Sequence, residues 1–249
     1  MGEIITLINQ GDSVKFMNIN PNLETLSYNE YEYMYFNSTN GKFKISGNIN
    51  SLINEHLLNI NNYSSSSDNE MLYELNVQDY GFYKLFYNMS SILDATDLII
   101  NANIVGEHAY EKMFYGCTGL KSIGDIVSIS NNYHSYYEMF NNCISLRNVG
   151  DIISSIAGEN AYERMFVKNY LKTVGNITTE NAGVQSYYHM FYNAISITSS
   201  FDTEINYGLT VGNINATSEV SSQAYYRMFY NYNALNKVGD IYIPTTTSE

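Results

Sequence analysis

Tryptophan is absent from this 249-residue chain, and proline and cysteine occur twice each. Two cysteines, Cys117 and Cys143, are too few for a disulfide-built scaffold, so the fold has to rest on an apolar core. With 45% hydrophobic residues the chain can bury one, which excludes a disordered chain. Positive charge is also scarce: 12 Lys and Arg stand against 25 Asp and Glu, a formal net charge of −13. Neutralising phosphates takes clustered cations, so a nucleic-acid partner is excluded. No run of about 18 apolar residues occurs, and no membrane insertion is expected. The first residues, MGEIITLINQGD, lack the basic start and long apolar stretch of a secretory leader. The expectation is synthesis in a cytoplasm without the usual export route. There is no nucleophile elbow, phosphate loop or HExxH, so the chain reads as a non-enzyme with no catalytic residues, cofactor or metal.

What the chain has in excess is tyrosine, 25 residues against 11 Phe. A tyrosine three residues before a Met-Phe pair recurs as AYEKMF (109–114), SYYEMF (135–140), AYERMF (161–166), SYYHMF (186–191) and AYYRMF (224–229). A weaker version, FYKLF, stands at 82–86. The Met positions are separated by 26, 26, 25 and 38 residues, a period that marks a solenoid whose units bury their apolar faces on one another. A second signature follows each pair: IGDI (123–126), VGDI (149–152), VGNI (174–177), VGNI (211–214) and VGDI (238–241). The 38-residue interval reads as an insertion between Thr198 and Leu209, a loop on one face.

Each unit divides in two. Tyr136, Met139, Phe140 and Cys143 fall at i, i+3, i+4 and i+7, which predicts a short inward-facing helix of about two turns. LRNVGDI is β-branched and extended, with Gly150 providing a kink or a close backbone approach. The predicted class is therefore α/β, a solenoid of one short helix and one short strand per ~26-residue repeat over residues 81–249. Residues 1–80 read as a β-rich cap or attachment region. It comprises a hairpin around Gln10 and Gly11, a third strand in GKFKISGNI (41–49), and a polar loop at 59–70.

The YxxMFxxCxxL phrase, clearest in MFYGCTGL and MFNNCISL, resembles BspA-like leucine-rich repeat proteins, as does KFKISGNINSLI at 42–53. These are common in gut Bacteroidales, their bacteriophages and some mucosal protozoa. The chain departs from that pattern where the cysteine position becomes Asn169, Ala194 and Tyr232, and where prolines are reduced to Pro21 and Pro244. The resemblance implies a leucine-rich-repeat solenoid with an adhesive or surface-exposed role. Combined with the missing leader and a residue usage that looks AT-biased, it suggests a structural or attachment protein of a bacteriophage virion: a fibre, tail-associated or capsid-decorating component. The implied partners are other virion proteins or further copies of the chain, a trimer included, and a host-surface glycan or protein. The alternative is a bacterial or protozoan cell-surface adhesin.

Five groups of residues are candidates for chemistry. Asp125, Asp151, Asn176, Asn213 and Asp240 form a ladder that could hold Ca²⁺ or accept backbone N–H groups at turns, and the neutral members favour the second reading. His108 and His134 stack on adjacent rungs, but the next rung offers Asn160 where a third zinc ligand would stand. Cys117 and Cys143 stack likewise and read as buried thiols. Lys112, Glu138 and Arg164 alternate in sign and can pair across rungs. Tyr137, Tyr188 and Tyr226, two before the Met, form the candidate binding surface, outward rings suited to a sugar or a protein partner unless they pack along the solenoid itself.

Overall fold

The computed structural model describes residues 31, 34–36, 41–53, 76–193, 208–233 and 235–244. The expected N-terminal hairpin, the 59–70 loop and nearly all of the 198–209 insertion lie outside them. The described chain is a parallel β-solenoid. Its first strands are β1 (Phe43–Lys44), β2 (Gly47–Asn48) and β3 (Asn76–Val77). Two strands per rung follow: β4 (Ile92–Asp94) with β5 (Leu98–Val105), β6 (Ser122–Ile123) with β7 (Ile126–Asn131), and β8 (Asn148–Val149) with β9 (Ile152–Ala157). The last three pairs are β10 (Thr173–Val174) with β11 (Ile177–Ala182), β12 (Leu209–Val211) with β13 (Ile214–Ala216), and β14 (Leu235–Val238) with β15 (Ile241–Tyr242). The second strands of the rungs stack as β15-β13-β11-β9-β7-β5-β2, with β3 also on β5, and the first strands as β14-β12-β10-β8-β6. Every pairing is parallel. β1 and β2 belong to the segment expected to form the cap, and they pair with β4 and β5.

Solenoid architecture is as expected; the helix is not. Among the described residues no α-helix occurs, and the only helical turn is a 3₁₀ segment at Ile49–Leu52. The Tyr-x-x-Met-Phe segment is instead a strip of successive turns that closes the third side of each rung. Three residues per strip have a left-handed backbone, spaced four apart: His134 (φ 50°), Glu138 (φ 50°) and Asn142 (φ 62°) in one, Asn160, Arg164 and Lys168 in the next. An α-helix cannot contain such residues. Backbone N–H groups alternate in destination. Met139 N donates to Tyr136 O within the strip (3.2 Å), while Phe140 N donates to Met165 O on the next rung (3.0 Å). These inter-rung bonds hold a conformation that costs on the order of 1 kcal/mol or more per non-glycine residue. Among the described residues, all 17 non-glycine residues with positive φ lie at these strip positions and none is β-branched; Gly116 takes the eighteenth. The expected inward stripe is real nonetheless, since two residues face in and the next two face out with a period of four. Tyr136, Met139, Phe140 and Cys143 are all fully buried.

Rungs of a parallel sheet are about 4.8 Å apart, so identical side chains in register meet at stacking distance. Phe82, Tyr110, Tyr136, Tyr162, Tyr187 and Tyr225 form one interior ladder, with centroids 4.9 to 5.3 Å apart. Phe36, Phe86, Phe114, Phe140, Phe166, Phe191 and Phe229 form another at 5.0 to 5.5 Å. Each stacked pair contributes about 0.5–1.5 kcal/mol beyond burial. The small residue before each tyrosine (Ala109, Ser135, Ala161, Ser186) is fully buried because the chain turns inward there.

The G-[DN]-I signature is the corner between the first and the second strand of a rung. Asp125 Oδ1 accepts from Asp151 N–H (2.8 Å), and Asp151 Oδ1 accepts from Asn176 N–H (2.7 Å). Asn176 and Asn213 continue the series onto Asn213 N–H (3.0 Å) and Asp240 N–H (2.9 Å). A Cβ on Gly150, Gly175, Gly212 or Gly239 would overlap the oxygen of the preceding rung's Asp or Asn. Close backbone approach, the second role expected of Gly150, is therefore the reason for the glycine. The ladder's oxygens serve N–H groups, though on the next rung rather than at each residue's own turn.

Candidate functional site

The interior fixes the outer face, because side chains that alternate with the inward pairs lie outside the core and line up rung over rung, where neighbours cover several of them, Tyr83, Glu111 and Glu138 among them. On this face the third residue of each phrase gives the column Tyr83, Glu111, Tyr137, Glu163, Tyr188 and Tyr226. The expected tyrosine surface is thus divided. Tyr188 and Tyr226 are adjacent and stacked (5.8 Å, 5°), and Tyr226 is 42% exposed with the Arg227 guanidinium 4.9 Å over its ring. Tyr137 is separated from them by the Glu163 rung. It is half-buried, stacked on His134 at 4.4 Å, with Lys112 Nζ 5.0 Å from its ring centre. Burial pushes its phenol up to about 12. Tyr188, like Tyr137, is half-buried and packs on a histidine (His189 at 3.9 Å), so of the three rings Tyr226 alone is exposed.

The next column carries Lys112, Glu138 and Arg164, and the expected pairing across rungs is present. Glu138 Oε2 lies 3.9 Å from Lys112 Nζ, and Glu138 Oε1 lies 3.0 Å from Arg164 Nε, a charge contact without hydrogen-bond alignment. Lys112 Nζ also holds Glu111 Oε1 at 2.6 Å. Further along, His189 is held below the usual imidazole range by burial, then by Arg227 and Arg164.

At the start of each strip stands a third column, Tyr80, His108, His134, Asn160, Gln185 and Gln223. His108 and His134 meet as the sequence predicts, with ring centroids 5.5 Å apart. Sequence reasoning looked for a third ligand at the same column position in the next rung and so missed Glu111, three residues after His108 on its own rung. Its Oε2 lies 2.5 Å from His108 Nδ1. Donor atoms of His108, Glu111 and His134 all fall within 4.8 Å of one another. The readable signal was H-x-x-E across one four-residue turn. Burial raises the Glu111 pKa, but hydrogen bonds from His108 and Lys112 outweigh it and hold the carboxyl below its ordinary range.

Cys117 and Cys143 are buried free thiols facing the interior. Each donates to the preceding rung, Cys117 Sγ to Phe86 O (3.0 Å) and Cys143 Sγ to Phe114 O (2.9 Å). Asn169, which departs from the cysteine pattern, does the same with its amide: Nδ2 donates to Phe140 O at 2.9 Å. In these three rungs the position supplies a short donor, and the donor need not be a sulfur. Burial pushes the Cys117 thiol up to about 12.

Compared with known proteins, the chain matches no family model, no curated protein and no solved structure, so its likeness to BspA-like proteins rests on the repeat phrases alone.

Proposed function

We propose that this chain is a non-enzymatic structural and attachment protein of a bacteriophage particle, presenting the outer face of its solenoid to a protein or glycan. The observation that supports it most is how the repeat spends its positions. Tyr, Met, Phe, the Cys or Asn donor, the corner glycine and the Asp or Asn after it are all committed to core packing or to the neighbouring rung. Only the outward columns are free to differ between rungs, which suits a stiff surface for contact. Exposed Tyr226, stacked on half-buried Tyr188 beside Arg227, is the part of that surface best suited to a sugar ring or an aromatic anchor. The test is to raise an antibody to the chain and fractionate a producing culture on a density gradient. Co-sedimentation with intact particles and gold labelling at one location on them support the virion reading. Signal confined to cell envelopes would replace it with the surface-adhesin reading.

A further inference from the structure

We propose that His108, Glu111 and His134 form a zinc site that clamps two adjacent rungs together at the solenoid surface. The placement follows from the fold. Both histidines occupy the first left-handed position of their strips (φ 55° and 50°), so parallel stacking brings them face to neighbouring face. In the same column Gln185 and Gln223 pair directly through their amides at 2.7 Å. The two imidazoles do not. Each turns to a carboxylate instead: His108 Nδ1 to Glu111, and His134 Nε2 to Glu163 Oε2 at 3.3 Å.

The donors are held in place. Glu111 is nine-tenths buried, and Lys112 Nζ fixes its Oε1, leaving Oε2 for the site. Tyr80 stacks on His108 at 4.9 Å, while Tyr133 and Tyr137 stack on His134 at 3.9 and 4.4 Å. These contacts set the ring planes, and the Glu163 carboxylate braces the second ring as outer-sphere carboxylates do for metal-bound histidine. Two imidazoles and one carboxylate are the donor set of a zinc centre with one open position. Ca²⁺ and Mg²⁺ want six or more oxygens or several retained waters, and this set is mostly nitrogen. Tetrahedral bonds of about 2.0–2.2 Å place donors on the order of 3.3 Å apart. The 2.5 Å His108–Glu111 contact would open and the 4.8 Å span would close, by side-chain rotation on a fixed backbone. The histidine side chains are 20% and 17% exposed, so the fourth position faces solvent and can take a ligand from outside.

The test uses the full chain, stripped with chelator and titrated with Co²⁺ and then Zn²⁺. The expected result is one equivalent of Co²⁺ with the intense visible absorption of a tetrahedral site, displaced by Zn²⁺. His108→Asn and His134→Asn should each weaken binding by more than ~100-fold, and Glu163→Gln by ~10–100-fold, the usual range for an outer-sphere partner. Asparagine already occupies this column at Asn160, so the histidine variants have a native precedent, and near-UV circular dichroism checks their fold. His189→Asn should leave binding unchanged. The proposal is overturned if Zn²⁺ fails to bind at micromolar concentration. Unchanged binding in the His108 and His134 variants would overturn it as well, because the metal would then sit elsewhere.

Discussion

The rungs around Tyr162 and Tyr225 carry nearly the same phrase, AYERMF and AYYRMF, and bury it differently. Tyr162, Met165 and Phe166 are fully buried. In the second rung Tyr225 and Phe229 are only half-buried, and the following strand residues Ile241 and Tyr242 are 60% exposed. The local sequence is not the cause. A central rung is covered on both sides, whereas the last described rung has a neighbour on one side only. Burial in a solenoid is set by the neighbour, so the same residue is worth different amounts in different rungs.

The sharpest test of that difference is truncation of the interior tyrosine in each place. Tyr162→Ala removes a ring stacked on both Tyr136 and Tyr187, and it should cost about 3–5 kcal/mol by the usual measure of a large core aromatic. Tyr225→Ala removes a ring whose described stacking partner is Tyr187 alone, and about half that loss is expected. Urea melts of both variants, followed by near-UV circular dichroism, measure the two losses. Equal losses would mean that the terminal rung is as cooperative as the middle.

The corner glycines give a second pair, with a smaller effect. Gly150→Ala drives a methyl group into Asp125, which is locked between rungs, and about 1–3 kcal/mol of destabilisation is expected. Gly239→Ala meets Asn213 in the same way, but its own rung lies at the edge and can move aside. The expected ratio again favours the middle, and thermal melts of the two variants are enough to read it.

A third substitution asks whether the Cys/Asn position is a matter of donors. Asn169→Ala removes the amide bond to Phe140 O, which keeps only the Cys143 N–H at 3.3 Å, and should cost about 0.5–1.5 kcal/mol. Asn169→Cys restores a donor of the kind used at Cys143 and also removes the buried Asn169 Oδ1, which has no partner. Its melting temperature should match or exceed that of the parent. If Cys and Ala behave alike, the carbonyl does not need the bond.

These positions also show how far the sequence could be read. The period, the inward set Tyr136, Met139, Phe140 and Cys143, and the Lys112–Glu138–Arg164 pairing were legible, because each depends only on which residues recur at which spacing. The helix was misread for a physical reason. Over eight residues a helical period of 3.6 and a turn-strip period of 4 select the same buried positions. What separates them is the left-handed backbone at every fourth residue, and here His134, Glu138 and Asn142 occupy it rather than the glycines that would have announced it. Glu111 was missed because the search for a ligand followed one column, while the geometry joins two. The division of the tyrosine row was visible in advance as Glu163, yet Tyr137's packing on His134 depends on strip geometry that no spacing reveals.

The smallest expected effect contrasts the ion pairs at two places on the surface. In the middle, Glu138 lies between Lys112 and Arg164 and is largely covered. Near the start of the described solenoid Lys44 Nζ meets Asp94 Oδ2 at 2.8 Å in the open. The hydrogen bond from Lys44, followed by those from Thr96, lowers the Asp94 pKa from 3.8 to about 2. A carboxyl whose folded pKa is depressed contributes stability that is fully present above its unfolded value. That contribution fades as pH falls from about 3.8 to about 2. Lys44→Gln removes the largest cause and leaves Thr96, so the gap in melting temperature between variant and parent should be wider at pH 5 than at pH 2, where the parent's folded carboxyl is already about half protonated. The gap at pH 5 should be small, because an exposed pair is screened by water and salt. A gap that persists undiminished at pH 2 would show that Lys44 acts through the packing of its alkyl chain on the sheet edge, and that charge at this end of the solenoid does nothing for its stability.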